Sequence, residues 1–259
     1  MAVSTPKISA TIITKNEEAN IAECLESLSW ADEIVVLDSG STDRTMEIAR
    51  KYSDKVFAEP WKGQGHQKNR AVELAQGPWI FSIDADERVT PELAQEIRHA
   101  VSNPSANVYA MRRKNFYKNQ WIRYGGWWPD WVKRLFRKGE AQFNDRVIHD
   151  SIQTASRVER LSNPLHHHSF RSVEDFLDRA YWYAAHQARE MYREGRRASA
   201  WTAISHAGAA LFQSYFLRLG FMEGGAGLLI AVSNFVGVFY RYMILRELSL
   251  HGEYPIPRK

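Results

Sequence analysis

The sequence predicts an α/β fold with a mostly parallel central sheet, followed by a helical C-terminal extension. Short apolar segments alternate with helical patterns over the first hundred residues, and beyond residue 168 the pattern is helical throughout. Alternation of this kind is typical of a parallel sheet covered by helices on both faces. We therefore expect an α/β domain over residues 1–168 and a helical extension over residues 169–259.

Composition and charge narrow the class of protein. The chain has 259 residues, of which 44% are hydrophobic, so it can bury a sizeable core and is not disordered. Its net charge of +4 fits an anionic substrate or an anionic membrane surface. The basic residues are spread along the chain and the aromatic residues form no evident stacking platform, which argues against nucleic-acid binding. Cys24 is the single cysteine, so an intramolecular disulfide and a cysteine-based metal site are excluded.

The N-terminal segment predicts a cytoplasmic chain. Residues 1–7 are polar, and the apolar run that follows, residues 8–13, is too brief for the core of a secretory signal. We expect the protein to stay in the cytoplasm.

The predicted elements follow one another in a regular order. Apolar segments rich in β-branched residues predict four strands, at residues 8–13, 33–37, 54–58 and 79–83. Helical patterns lie between and after them, and Thr90 with Pro91 has the chemistry of a helix start. Residues 107–150, rich in aromatic and basic side chains, predict short strands and loops over the sheet rim. Three helices are expected in the extension, near residues 172–194, 199–219 and 224–246.

Polar clusters follow three of the predicted strands, at residues 14–18, 38–43 and 84–86. In open α/β sheets, ligands bind in the crevice at the carboxyl ends of the strands. The last cluster, Asp84-Ala85-Asp86, places two carboxylates at a strand end, where they can reach Mg²⁺ or Mn²⁺ directly or through water. Three clusters on one rim favour a binding site over three unrelated surface loops.

Four segments together resemble family 2 glycosyltransferases: ATIITKNEEANIAECLESL, EIVVLDSGSTDRT, GHQKNRA and WIFSIDADE. The resemblance covers roughly residues 7–100 and implies the GT-A fold, a nucleotide-binding α/β domain. A further segment, GGWWPDWVKRLFRKGEAQFNDRVIHD at residues 125–150, is similar to a bacterial subgroup that includes lipopolysaccharide core glucosyltransferases. That subgroup typically has V-H-E where this chain has Ile148-His149-Asp150, which leaves the role of Asp150 open.

The resemblance also implies which residues bind the nucleotide. Thr14, Asn16 and Glu17 are expected beside it, and Asp38 with Ser39 is expected to contact its base or ribose.

Around the diphosphate, the resemblance implies a further set of contacts. Lys68 is expected near the base or diphosphate, and Asp84 near the ribose or the metal. Asp86 is expected to bind a Mg²⁺ or Mn²⁺ ion that bridges the donor's phosphates, since a diphosphate leaving group needs its developing charge neutralised. His149 is a candidate third metal ligand or phosphate contact, with a structural role as the alternative.

Asp130 is the candidate general base. It lies in Gly-Gly-Trp-Trp-Pro-Asp-Trp, where aromatic neighbours could dehydrate its carboxyl group and raise its pKa. A turn aspartate after Pro129 is the alternative. His166, His167 and His168 are interpreted mainly as the end of a strand, in which alternate side chains point to opposite faces. Arg134 and Arg137 are expected on solvated faces, with contact to an anionic acceptor as the alternative.

The C-terminal extension contains two long uncharged stretches. Residues 198–217 and 224–240 have no Lys, Arg, Asp or Glu. Since a transmembrane helix needs about 20 predominantly apolar residues, we expect a helical hairpin lying in the membrane interface. The alternative is a helix pair packed on the catalytic domain or on a dimer partner.

The predicted function is an inverting glycosyltransferase that is peripheral on the inner face of the cytoplasmic membrane. It is expected to transfer a sugar, with glucose from UDP-glucose the best single choice, to a hydroxyl of a lipopolysaccharide core or similar cell-envelope glycan or glycolipid. Two alternatives stay open: a polyprenyl-phosphate glycosyltransferase, and a non-catalytic protein that binds nucleotide-sugars or carbohydrates.

Overall fold

A computed structural model describes residues 7–144 and 151–254. The strands are β1 Ile8–Thr14, β2 Glu33–Asp38, β3 Val56–Ala58, β4 Trp79–Asp84, β5 Glu87–Arg88, β6 Val108–Tyr117, β7 Gln120–Trp121, β8 Asp130–Arg137, β9 Gln142–Phe143, β10 Ile152–Gln153, β11 Val158–Arg160 and β12 Leu165–Phe170. The helices are α1 Ile21–Glu26, α2 Thr45–Ala49, α3 Gln64–Leu74, α4 Pro91–Ser102, α5 Val173–Arg193, α6 Ala200–Phe212 and α7 Gly225–His251. A π-helical turn, Gln213–Leu217, and a 3₁₀ turn, Gly220–Glu223, lie between α6 and α7.

The central sheet is mixed: its first four strands in sequence, β1 to β4, are parallel to one another, and antiparallel pairs extend it beyond β4. Its order is β3-β2-β1-β4-β8-β6-β12-β5, with β7 and β11 also paired to β6. β1 is parallel to both β2 and β4, and β2 is parallel to β3. β1, β2 and β4 are buried on both faces, as their continuous apolar sequences predict. The predicted fold class, a mostly parallel α/β sheet followed by helices, is therefore confirmed.

The segment after residue 106 differs from its prediction. Instead of short strands and loops over the rim, it supplies the ten-residue β6 and the eight-residue β8, which extend the sheet itself. β8 is antiparallel to both β4 and β6. The basic side chains in these strands made the sequence look like exposed loops. Some of them, such as Arg134, are instead buried in ion pairs.

One compact unit contains residues up to 114 together with 130–167. Its main core lies between the parallel strands and the helices that cover them, and its largest fully buried side chains include Phe81, Ile12 and Leu25. Helix α4 begins as the sequence predicts, because the Thr90 hydroxyl accepts a hydrogen bond from the Leu93 amide and Pro91 occupies the first turn.

The second compact unit contains residues 115–129 and the chain from 168 onward. Residues 115–129 thus group with the C-terminal helices, whereas the predicted boundary placed them with the α/β domain. Ser172 and Ser199 form capping boxes at the starts of α5 and α6. Both helices pack on α7, with Ala188 and Leu245 among the buried residues between them.

Within the described residues, one helix passes a length and composition test for crossing a membrane. It is α7, and 28% of its most apolar window is buried inside the protein.

Candidate active site

The carboxyl ends of three parallel strands meet at one edge of the sheet. Thr14 at the end of β1 is in register with Asp38 at the end of β2, and Ile13 is in register with Asp84 at the end of β4. The structure therefore brings together the polar clusters that the sequence placed on a common rim. Ser39 joins this edge, because its amide donates to the Thr14 carbonyl oxygen at 2.9 Å.

Hydrogen bonds link the loops that follow β1 and β2. The Asn16 amide donates to the Ser41 hydroxyl at 2.8 Å, and the Thr42 amide donates to Asn16 Oδ1 at 2.8 Å. The Glu17 amide donates to Thr45 Oγ1 at 2.7 Å. Asn16 has a φ of 56°, a left-handed conformation that Asn adopts more readily than most residues. These bonds fix the two loops as one wall of the site.

Asp38 shapes that wall from inside. Its residue is fully buried, and its carboxylate accepts hydrogen bonds from the amides of Gly40 and Ser41, each at 2.8 Å, and from the Ser41 hydroxyl. The Ser39 hydroxyl accepts a hydrogen bond from Gln67 Nε2 at 2.9 Å. Among the described residues, the buried Thr14 Oγ1 has no hydrogen-bond partner.

Beside this wall lies a cluster of three acidic and three basic side chains, here called the charged cluster. Its members are Lys68, Asp84, Glu87, Arg113, Asp130 and Arg134. Lys68 Nζ lies 2.7 Å from Asp84 Oδ1, and Arg134 bonds the other oxygen of Asp84. The same Arg134 nitrogen lies 2.6 Å from Glu87 Oε1, and Glu87 Oε2 accepts from the Asp84 amide at 3.0 Å.

Both oxygens of Asp84 are therefore held by cations. Burial alone would raise the pKa of this carboxyl group, but the charges of Arg134 and Lys68 outweigh it and hold the pKa well below its ordinary value. Asp84 is accordingly ionised and fixed in orientation at the end of β4.

Asp130 occupies the far side of the charged cluster. Arg113 reaches its Oδ2 with two nitrogens, Nε at 2.8 Å and Nη2 at 2.7 Å. This carboxylate is therefore held in an ion pair, and one of its aromatic neighbours in sequence, Trp131, is directed away from it. The reason is strand alternation, since Trp131 lies on the opposite face, where its ring contacts Arg112 and Arg160.

Asp86 lies two residues beyond Asp84, and its side chain is 12% exposed. Its Oδ2 is 3.4 Å from Nε2 of His167, a residue of β12 that is in register with Glu87 of β5. Alternation separates the three histidines, because His168 instead stacks on Phe116 with ring centres 5.1 Å apart.

The Asp86 carboxylate is an oxygen donor of the kind that Mg²⁺ and Mn²⁺ take in proteins. Among the described residues no group of three His, Cys, Asp or Glu side chains is placed to hold a metal ion. A carboxylate with an imidazole beside it is nevertheless a suitable partial ligand set, because Mg²⁺ and Mn²⁺ commonly take remaining ligands from substrate phosphates and water. The predicted ligand His149, like Asp150, lies outside the described residues.

Sequence reasoning missed several members of the charged cluster. Arg113 and Glu87 were not singled out, and Arg134 was expected on a solvated face although it is 5% exposed. The signal that could have found them is strand alternation across β6 and β8, which directs Arg113 and Asp130 to the same face. Arg137 is exposed, as expected.

Acidic and hydroxyl side chains gathered at the carboxyl ends of parallel strands define a ligand-binding α/β protein with its site at that edge. The model of the family described as "Glycosyl transferase family 2" matches residues 9–161, more than half of the chain. The chain therefore belongs to glycosyltransferase family 2, and its fold is the GT-A fold.

Individual relatives agree with this assignment. The chain is 32% identical to an uncharacterised glycosyltransferase of Rickettsia conorii, over 96% of this chain and 93% of the relative. It is 31% identical to LpsC of Rhizobium meliloti, a lipopolysaccharide core biosynthesis glycosyltransferase, over 93% of this chain and 91% of LpsC. Among solved structures, Staphylococcus aureus TarS 1–349 in complex with UDP matches 96% of this chain and 92% of its own, at 17% identity and a TM-score of 0.47.

Proposed function

We propose that this protein is an inverting glycosyltransferase that transfers a sugar from a nucleotide-sugar to a hydroxyl group of a lipopolysaccharide core or similar cell-envelope glycan. The acceptor class is supported by the similarity to LpsC over nearly the whole chain. UDP-glucose is the proposed donor, on the motif resemblance. The observation that carries the proposal is the position of Asp86 two residues beyond the end of β4, the strand that pairs with β1 at the same edge of the sheet as the polar loops.

The nucleotide is proposed to bind against those loops. Thr14, Asn16 and Glu17 lie at the end of β1, and Asp38 and Ser39 lie at the end of β2. The buried Thr14 hydroxyl, which has no hydrogen-bond partner in the described part of the chain, is a suitable group for a polar ligand. Asp38 acts by holding the shape of the turn through its bonds to Gly40 and Ser41.

The charged cluster holds its own carboxylates in fixed orientations and has little net charge. Its three cations balance its three carboxylates, with Lys68 and Arg134 both directed at Asp84. Neutralising a departing diphosphate therefore needs positive charge from elsewhere. Asp86, with His167 beside it, would hold a Mg²⁺ or Mn²⁺ ion that supplies this charge.

Asp130 is proposed to accept the proton of the acceptor hydroxyl. As that proton moves to the carboxylate, the hydroxyl oxygen forms a bond to the anomeric carbon. The bond from that carbon to the diphosphate oxygen breaks, and the nucleoside diphosphate leaves with the electron pair. Arg113 keeps the carboxylate in place through its two contacts with Oδ2.

A lipid phosphate is the second candidate acceptor, because α7 is long and apolar enough to cross a membrane. Against it, the second half of α7 carries Arg241 and Arg246 and buries Tyr242, Leu245 and Leu248 against neighbouring helices. Label from a nucleotide-sugar that becomes chloroform-extractable in the presence of polyprenyl phosphate would favour this acceptor over a glycan.

The protein is further proposed to act at the inner face of the cytoplasmic membrane. Residues 212–222, here called the apolar tip, join α6 to α7 and expose Phe212, Phe216, Leu217, Phe221 and Met222. Arg218 is the one charged residue among them. Apolar side chains around an arginine suit an anionic lipid surface.

A thermal-shift screen of nucleotide-sugars with Mn²⁺ tests the proposal. We expect UDP-glucose to raise the melting temperature, because a ligand that binds only the folded state stabilises it. Asp86→Ala should lose the Mn²⁺-dependent shift and sugar transfer. Asp130→Asn should keep the shift and lose transfer, by about 10²–10⁴-fold if it removes a general base.

The control variant is Asp54→Ala, which removes an exposed carboxylate from the opposite end of the parallel strands. It should behave as the unmodified protein. Normal turnover by Asp86→Ala would contradict the metal assignment, and the absence of a shift with every nucleotide-sugar would contradict the proposed donor class.

A further inference from the structure

Residues 120–129, here called the tryptophan loop, present aromatic and basic side chains in the second unit. The rings of Trp121 and Trp128 meet edge to face, with centres 5.3 Å apart. The Arg123 guanidinium lies 4.4 Å from the centre of the Trp121 ring. Indole rings offer flat apolar faces, which suit the apolar C–H face of a sugar ring.

Glu223 holds the start of this loop. Its Oε1 accepts hydrogen bonds from the backbone amides of Arg123 at 2.7 Å and Tyr124 at 3.0 Å. Its Oε2 accepts from Gln120 Nε2 at 2.9 Å. Hydrogen bonds to an ionised carboxylate are stronger than those between neutral groups, so two of them confine the loop backbone and the third holds the Gln120 side chain.

The middle of the loop is held from the same turn. The Gly125 amide donates to the Arg218 carbonyl oxygen at 2.8 Å, and the Gly125 carbonyl accepts from the Ser214 hydroxyl at 3.3 Å. Gly126 has a φ of 90°, and a Cβ atom there would overlap the Arg218 side chain. The loop is therefore a defined structure, fixed to the turn between α6 and α7.

The charge pattern of the sequence agrees with a special role for Glu223. It is the one acidic residue between positions 195 and 246, in a segment whose other charged residues are all arginines. The backbone amides of the tryptophan loop that Glu223 binds give a structural reason for a carboxylate at this position. Glu247, the next acidic residue, instead accepts a hydrogen bond from the Tyr254 hydroxyl.

We propose that the tryptophan loop binds the acceptor sugar through Trp121 and Trp128, and that Glu223 is the positioning residue that keeps this loop in its binding conformation. The inference rests on the proposed transferase function. The loop leads directly into Asp130, the proposed base, whereas the donor residues come from the ends of β1, β2 and β4. Loss of Glu223 should therefore weaken binding of the acceptor and leave binding of the nucleotide-sugar donor unchanged.

The test compares Glu223→Ala, Glu223→Gln and the control Glu247→Ala in steady-state transfer from UDP-glucose to lipid-free core oligosaccharide released from lipopolysaccharide. Glu223→Ala should raise the acceptor KM about tenfold or more, since it removes three hydrogen bonds. The thermal shift given by UDP with Mn²⁺ should not change. Glu223→Gln keeps an oxygen that can accept from both amides, so it should restore most of the acceptor affinity, and Glu247→Ala should match the unmodified protein.

A Glu223→Ala variant with an unchanged acceptor KM would overturn the inference, and so would equal losses of donor and acceptor binding. Trp128→Ala serves if Glu223→Ala does not fold, and it too should raise the acceptor KM while leaving the UDP shift intact; an unchanged KM there is equally decisive. Failure of the proposed function looks different, because the unmodified protein would then show neither transfer nor a UDP-dependent shift.

Discussion

At the scale of single residues, the chemistry of each carboxylate in the site depends on the side chain that pairs with it. Asp84 has both oxygens engaged by Lys68 and Arg134, while Asp86 faces the imidazole of His167. Two residues that look alike in an Asp-Ala-Asp triplet therefore differ in chemistry. Asp84 orients the cationic side chains around it, and Asp86 is the better placed of the two to bind a divalent cation.

Arg134 is the residue whose loss should cost the most stability in this cluster. Arg134→Met leaves Asp84 and the fully buried Glu87 without a shared cation, and breaking a buried pair in this way costs about 3–5 kcal/mol. Urea unfolding at neutral pH measures the change. Arg70→Met, which removes a partly exposed arginine paired with Glu59 in the same unit, should change the free energy of unfolding by about 1 kcal/mol or less. Equal losses of stability in the two variants would show that burial of the Arg134 ion pairs does not increase their contribution to the free energy of unfolding.

At the scale of secondary-structure elements, periodicity predicted the parallel strands well and the antiparallel ones poorly. β1, β2 and β4 are buried on both faces, so their sequences are continuously apolar and easily recognised. β6 and β8 carry basic residues such as Arg113 and Arg134, whose partners come from distant parts of the chain. A pattern read within one segment cannot show that such charges are buried, because their partners are set by strand pairing.

A second ion pair links the amino-terminal ends of the strands, opposite the site. Glu33 of β2 bonds Lys55, the Ser9 hydroxyl of β1 and the Gln76 amide that precedes β4. Burial raises the pKa of this carboxyl group, but the bonds from Lys55, Ser9 and Gln76 together lower it below its ordinary value.

Because the pKa of Glu33 is lower in the folded state, its contribution to stability is present above the unfolded pKa of about 4.3 and is lost as the pH falls through the folded value. Glu33→Gln should therefore lower the free energy of unfolding more at pH 7 than at pH 4, as measured by urea titration. Glu47→Gln, in an exposed pair with Lys51, should have little effect at either pH. A Glu33→Gln effect that grows on acidification would contradict the assigned direction.

At the scale of the whole molecule, the second unit combines a packed interior with an apolar exterior. α5 and α6 cover the second half of α7, whereas Trp201 and Leu217 are 74% and 67% exposed. Apolar exposure of this extent is unusual for a surface that faces water alone. The segment that carries it, residues 195–246, has several arginines and one acidic residue. This combination supports the proposed association with an anionic lipid surface.

Liposome co-sedimentation tests that association. The protein should bind vesicles that contain anionic phospholipid more than neutral ones, and Leu217→Asp in the apolar tip should weaken binding because it places a charge among anionic headgroups. Leu250→Asp makes the same change at a residue of similar exposure near the other end of α7, and should bind normally. Equal weakening by both variants, or a tip that mediates dimers without lipid, would contradict the assignment.

The sequence by itself determined the fold class, the family and the positions of the three polar clusters. These depend on local properties, namely the periodicity of apolar residues and short motifs at strand ends, so they can be read within one segment. Only the tertiary structure decided that Arg134 and Lys68 hold Asp84, that His167 faces Asp86, and that Glu223 fixes the tryptophan loop. Each of these contacts joins residues far apart in the chain, and their pairing follows from strand register and helix packing, which no single segment of sequence contains.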